Sequence, residues 1–192
     1  RRILTVQMNE GILYRKLGIY SKAIEIFANL SINKDQIMDP MIKTALCDNF
    51  AWCLFMQGKD EQALDYAIRS RSLKSSFPDI YIVLVFSSYR LKQFDRCRQF
   101  AQEFIEKDLK DGRARFIQLF MRLALKVLDQ ESDVCNLQSQ IISLLPIYKA
   151  VELEIPFYSL LIDHYRQHND LEQVVSLQEK LIHYLKFNFS SH

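Results

Sequence analysis

The chain has 192 residues, of which 49% are hydrophobic and 25% charged, with a formal net charge of +2. That balance is ordinary for a globular protein with a good-sized core, and it gives no bulk-charge reason to expect nucleic acid or an anionic membrane as a partner. Only 4 Gly and 4 Pro occur, too few for many-turned β structure, so long helices joined by short turns are expected.

The first unit legible in chain order is GILYRKLGIYSKAIEIF, Gly11 to Phe27. Gly11 lets a second helix come close because it has no side chain. Gly18 suits the left-handed backbone at a helix end. Ala23 and Phe27 lie one turn apart on one face of the following helix. The longest connector is SINKDQIMDP, residues 31–40, and its Asp39-Pro40 should open the next helix with proline in the first turn. A second unit, Cys47 to Ser70, repeats the pattern with Ala51, Gly58, Ala63 and Ala67 in the equivalent places. A third, Ile80 to Phe104, places Cys97 and Ala101 at the close-packing positions and Lys92 at the turn. Its opening IYIVLVF is far shorter than the roughly 18 residues a membrane span needs. Alone it would pass for a buried strand, but its place in the repeat makes it a helix. Arg113 to Leu145 reads as helix, polar break at Asp129–Asp133, helix, without the signature residues. The last unit, Ile155 to Leu185, has Tyr158, Leu161 and Tyr165 in its first helix and Asn169 at the turn. Pro78, Pro146 and Pro156 mark element boundaries or first turns.

The turn positions Gly18, Gly58, Lys92 and Asn169 are 40, 34 and 77 residues apart, and the last gap fits two repeats. The G-x-x-Y and A-x-x-x-F spacings in a helix–turn–helix unit of about 34 residues resemble the tetratricopeptide repeat. The resemblance covers most of the chain. It implies an all-α fold, a right-handed α-solenoid of about five helix pairs forming one repeat domain over residues 1–192. The chain opens with RRILTVQ inside what already reads as a helix, so it is expected to be the C-terminal part of a longer protein.

In such stacks the first helix of each pair lines a concave surface. Followed at helical spacing, that surface comprises Met8, Ile12, Arg15 and Lys16, bordered by Asn9; Asp48, Trp52, Phe55 and Met56, bordered by Asn49; Ile82, Phe86, Tyr89 and Arg90; and Ser159, Asp163, Arg166 and Gln167. Aromatic anchors interleaved with Arg and amide side chains have the composition of a binding hot spot. The expected peptide-binding residues are therefore Asn9, Ile12, Arg15, Asn49, Trp52, Phe55, Met56, Phe86, Tyr89 and Arg90. Trp52, Phe86 and Tyr89 would anchor a ligand, Asn9 and Asn49 would bond its backbone, and Arg15 or Arg90 would hold a carboxylate. The competing reading is that the aromatics simply pack inside a tightly wound superhelix.

Repeats stretched toward 38–40 residues, the wealth of Lys, Ile, Tyr and Phe, and the paired Asn9 and Asn49 also resemble, more loosely, the peptide-sensing repeat regions of the Rap, NprR, PlcR and PrgX quorum-sensing regulators of Gram-positive bacteria. That resemblance implies a cytoplasmic receptor for a short signalling peptide, controlling transcription. It would meet DNA only through an N-terminal module absent from this sequence. Val83 stands where a third asparagine would extend the ladder. The alternative is a general protein–protein scaffold or co-chaperone module holding an extended segment of a partner.

The remaining chemistry is thin. Cys47, Cys53, Cys97 and Cys135 form no C-x-x-C pair and read as small buried hydrophobes of a reducing cytoplasm. No signal-peptide pattern opens the chain. His164 and His168 have metal-ligand spacing, but the glutamate of a zinc-protease helix is missing between them, and they read as a surface pair. No phosphate loop or nucleophile elbow occurs, so neither enzyme activity, metal nor cofactor is expected. Near the C-terminus, Ile182, Leu185, Phe187 and Phe189 make an apolar flank that suggests a packed-back tail or a homo-oligomer contact.

Overall fold

A computed structural model describes residues 2–32 and 39–189, apart from the side chains of residues 2, 3, 151 and 187–189. Among the described residues the fold is all-α, with ten helices and no strand: α1 (Arg2–Lys16), α2 (Tyr20–Ile32), α3 (Pro40–Met56), α4 (Asp60–Ser72), α5 (Ile80–Arg90), α6 (Phe94–Ile105), α7 (Gly112–Leu128), α8 (Cys135–Leu144), α9 (Glu154–Gln167) and α10 (Leu171–Phe189). A short 3-10 turn, Val151–Leu153, precedes α9. No described helix is long and apolar enough to cross a membrane. The chain divides into two compact units, residues 1–100 and 101–192.

The helices stop and restart by one repeated device. At Gly18, Gly58, Lys92, Gln130 and Asn169 the backbone turns left-handed, with φ between 56° and 73°. At each, the next residue's N–H reaches back to the carbonyl five residues earlier, at 2.8–3.0 Å: Ile19 to Tyr14, Lys59 to Leu54, Gln93 to Ser88, Glu131 to Lys126 and Asp170 to Tyr165. This is the Schellman closure, which satisfies carbonyls a helix end would otherwise leave unbonded. The chain advances 40, 34, 38 and 39 residues between these turns. Gln130 therefore supplies the turn inside the Asp129–Asp133 break. The opposite ends use capping side chains. Asp39 accepts from the Met41 N–H at 2.9 Å ahead of Pro40, and Asp111 accepts from the Ala114 N–H at 2.7 Å.

In the first unit each of α1 to α4 packs on its successor, and α1 and α5 also touch α3. Gly11 permits the first of these contacts, because a Cβ there would lie 2.5 Å from the Phe27 ring. Phe27 reaches on to Phe50, and Phe50 to Tyr66. The small residues Ala23, Ala63, Ala67 and Cys97 are wholly buried, as is Ala101 just beyond the unit boundary. Helix α5 is buried on every face from Ile80 to Ser88, which explains its unbroken apolar run.

In the second unit α7 packs on α8 and α9, and α9 on α10. Phe116, Phe120 and Phe157 form an edge-on aromatic chain, and Tyr148 stacks on Phe116. Gln118 donates to the carbonyls of Phe104, Ile105 and Lys107, closing the end of α6. Two cysteine and histidine expectations need correction. Cys135 is exposed at the first position of α8 and Cys47 is half-buried, whereas Cys53 and Cys97 are in the core. His164 is buried at 1% exposure, and only His168 of that pair faces solvent. Of the expected C-terminal flank, Ile182 and Leu185 are exposed, and the Phe187 and Phe189 side chains lie outside the described residues.

Candidate functional site

Helix α1 touches α3; α1 carries Asn9, Ile12 and Arg15 along its length, and α3 carries Asn49, Cys53 and Met56. Both sets recur at helical spacing. The Arg15 charge is close enough to Cys53 to act on its thiol, although burial dominates and pushes that thiol up to about 12. Arg15 therefore lies near Cys53 of α3. Asn9 is exposed, and Ile12, Arg15, Asn49 and Met56 are half-buried.

Two polar groups define the chemistry of this face. The Nε–H of Arg15 is buried and has no hydrogen-bond partner. An unmet donor on a cationic group costs more than a neutral one, on the order of 1–3 kcal/mol or above. Asn49 commits its Nδ2–H to the Ala45 carbonyl of its own helix at 2.7 Å. That bond fixes the amide and leaves its oxygen as the group available to accept. The face thus offers one donor and one acceptor on neighbouring helices, beside the apolar bodies of Ile12 and Met56.

The other expected residues are placed differently. Trp52 and Phe55 are 1% exposed and Phe86 is 2% exposed, so these three pack in the core and present no surface to a ligand in this structure. The physical reason is the contact of α5 with α3. Side chains of this size leave 150–250 Å² of apolar surface in water if nothing covers them. Trp52 lies against Phe55 with ring centroids 5.9 Å apart. The Arg90 guanidinium sits 4.3 Å from the Phe55 ring centre. Arg90 is also engaged, bonding Asp60 at 3.2 Å and the Phe55 carbonyl at 3.4 Å. It is a structural tie between α4 and α5 in place of a carboxylate clamp. Tyr89 is half-buried and turned toward Phe94, 6.0 Å away. Asp48 is buried as well and accepts from Ser70 and Ser75.

One concavity escapes the sequence reading. A cavity of about 270 Å³ opens among the ends of α2, α3 and α4, lined by Lys43, Leu46, Cys47, Tyr66, Arg69 and Leu73, with Ser31 and Ser72. Its sequence signal is weak, being only the Lys43–Cys47 and Arg69–Leu73 spacings of four. Arg69 is held by Asp65 at 2.6 Å and leans over the Tyr66 ring. Among the described residues no group of three or more His, Cys, Asp or Glu side chains could hold a metal ion. The search of protein-family models, curated proteins and solved structures finds no match to this chain.

Proposed function

We propose that the helix pairs of the first unit form a short right-handed α-solenoid of tetratricopeptide type, and that its α1–α3 face binds an extended peptide segment carrying a carboxylate. The observation that carries this reading is the buried, unpartnered Nε–H of Arg15. A protein tolerates such a donor most readily where a ligand acceptor completes it. Asn49, with its oxygen left to accept, suits a backbone N–H of the same segment, and Ile12 and Met56 suit an apolar side chain. The regular left-handed turns and the Gly11–Phe27 contact support the repeat assignment. The pairing of Asn9 with Asn49 supports the narrower form of the proposal, a receptor domain for a short signalling peptide in a regulator of the quorum-sensing type.

The test is titration of short peptides with and without a free C-terminal carboxylate against wild type, Arg15→Ala and Asn49→Ala. Arg15→Ala should weaken binding of carboxylate-bearing peptides by roughly tenfold to a hundredfold, the equivalent of one charge-assisted hydrogen bond. Amidated peptides should lose much less. Peptide affinity indifferent to both substitutions would place the ligand elsewhere. Binding of a whole protein partner but of no short peptide would support the scaffold reading instead.

A further inference from the structure

The cavity of about 270 Å³ among the ends of α2, α3 and α4 carries two cations, Lys43 and Arg69, and among the described residues no acid lines it. The two cations are in different states. Arg69 is held from beside the cavity by Asp65, at 2.6 Å. Lys43 is half-buried and has no ion pair among the described residues. Tyr66 is fixed by two neighbours, the Phe50 ring with centroids 4.5 Å apart and the Arg69 guanidinium 5.1 Å from its ring centre. Its hydroxyl has no hydrogen-bond partner among the described residues. The hydroxyls of Ser31 and Ser72 are spent on carbonyls of their own helices, at 2.7 and 2.6 Å. Leu46, Cys47 and Leu73 supply the apolar part of the wall.

We infer that this cavity is a binding site for a small organic monoanion, a carboxylate carried on a short apolar chain. Charge sets the head group. The two cations and the single Asp65 carboxylate leave one net positive charge, which a carboxylate balances and a dianionic phosphate ester exceeds. Lys43 supplies the uncommitted ammonium. An anion gains more beside a half-buried cation than beside a fully solvated one, because water and salt screen the pair less there. The Tyr66 hydroxyl can donate to the second carboxylate oxygen. The apolar wall sets the other end of the ligand, since a few polar groups fixing the orientation of a body held by apolar side chains is the usual make-up of a small-molecule site. Volume sets its size. At about 30 Å³ per water the cavity holds roughly nine waters, which suits a ligand of about ten non-hydrogen atoms. None of these groups belongs to α1, so the site is separate from the Arg15 face.

Titration of the isotope-labelled 192-residue chain with octanoate, followed by amide chemical shifts, tests the inference. Octanoate should bind saturably with a Kd of about 0.1–1 mM, the range for a ligand of this size, with shifts centred on Lys43, Cys47, Tyr66 and Arg69. Acetate, which lacks the apolar chain, and 1-octanol, which lacks the charge, should each bind at least about tenfold more weakly. Lys43→Gln should weaken octanoate about tenfold and Tyr66→Phe about threefold, with 1-octanol unaffected by either. Both variants should keep the helical circular dichroism spectrum, since Lys43 has no ion pair to lose and phenylalanine retains the ring contacts of Tyr66. No saturable shift below about 10 mM, shifts centred on Arg15 or on the α9–α10 groove, tighter binding of hexyl phosphate than of octanoate, or octanoate affinity unchanged in Lys43→Gln would each overturn the assignment.

Discussion

Gly11→Ala is the sharpest probe of how the first pair is held together. Replacing a helix-interior glycine by alanine ordinarily stabilises by about 0.5–1 kcal/mol, since alanine loses less backbone freedom on folding. Here the added Cβ would lie 2.5, 2.8 and 3.1 Å from Cε1, Cζ and Cδ1 of Phe27. Phe27 has no exposed surface and rests on Phe50, so the ring cannot swing clear without disturbing a second contact. Overpacking of this kind costs about 1–3 kcal/mol. The packing cost outweighs the helix gain, and the expected net result is a loss of about 1 kcal/mol, or roughly 2–4 °C for a chain of this length. Urea unfolding followed by far-ultraviolet circular dichroism measures it. The control is the same substitution in a Phe27→Leu background, where the ring edge is gone and Gly11→Ala should become stabilising. A rise in the midpoint in the wild-type background would refute the reasoning, as would additivity of the two changes within about 0.3 kcal/mol.

Trp52→Ala should cost about 3–5 kcal/mol of stability, as for a core aromatic, measured by the same unfolding experiment. A fully folded variant of unchanged stability would return Trp52 to the surface. A pH series gives an independent check. Burial, with a smaller contribution from His168, lowers the His164 pKa, so the unfolded chain binds a proton more readily than the folded one. Stability should be unaffected by this group above its unfolded value of about 6.5 and fall as the pH drops below it. The fall should be smaller in His164→Phe, and equal slopes in the two proteins between pH 7.5 and 5.5, read from urea midpoints, would exclude His164 as the cause.

The scaffold was largely legible in the sequence because its requirements are local. A left-handed turn calls for Gly or Asn, or tolerates a strained Lys or Gln, and close helix contacts call for Gly or Ala. Gly18, Gly58, Asn169, Ala23 and Ala63 each announce such a demand within a few residues. Even Gln130, without a signature residue, stands in the polar break between two apolar stretches. The exposure of the candidate residues was legible only in part. A helical wheel gives the direction of Trp52 or Phe86 from its own axis, but not what a neighbouring helix lays over it. Arg90 looked available for the same reason, since its partners are 30 and 35 residues away. His164 was misread because its helix is buried on nearly every side, a property of α9's neighbours and not of the His164–His168 spacing.

Polar ties on α4 fix its register against α3 and α5. Near its C-terminal end, Ser70 donates to the buried carboxylate of Asp48 on α3, and Ser75 just beyond the helix adds a second bond at 2.9 Å. At its N-terminal end, Asp60 accepts from Ser87 at 3.0 Å and from Arg90 at 3.2 Å, both on α5. Burial raises the Asp48 pKa despite the two hydroxyls, so sliding α4 by a turn would strand a desolvated acid without donors. Apolar ridges alone accept several nearby registers, whereas a buried acid with two fixed donors accepts one. Pairs two and three are thereby locked, with Asp48, Asp60, Ser87 and Arg90 consumed in the locking and Trp52 and Phe86 sealed behind them. Buried polar groups without a hydrogen-bond partner remain in the first unit at Arg15 Nε on α1, Trp52 Nε1 on α3 and Ser88 Oγ on α5. Of these Arg15 alone is cationic, so leaving its donor unmet costs the most.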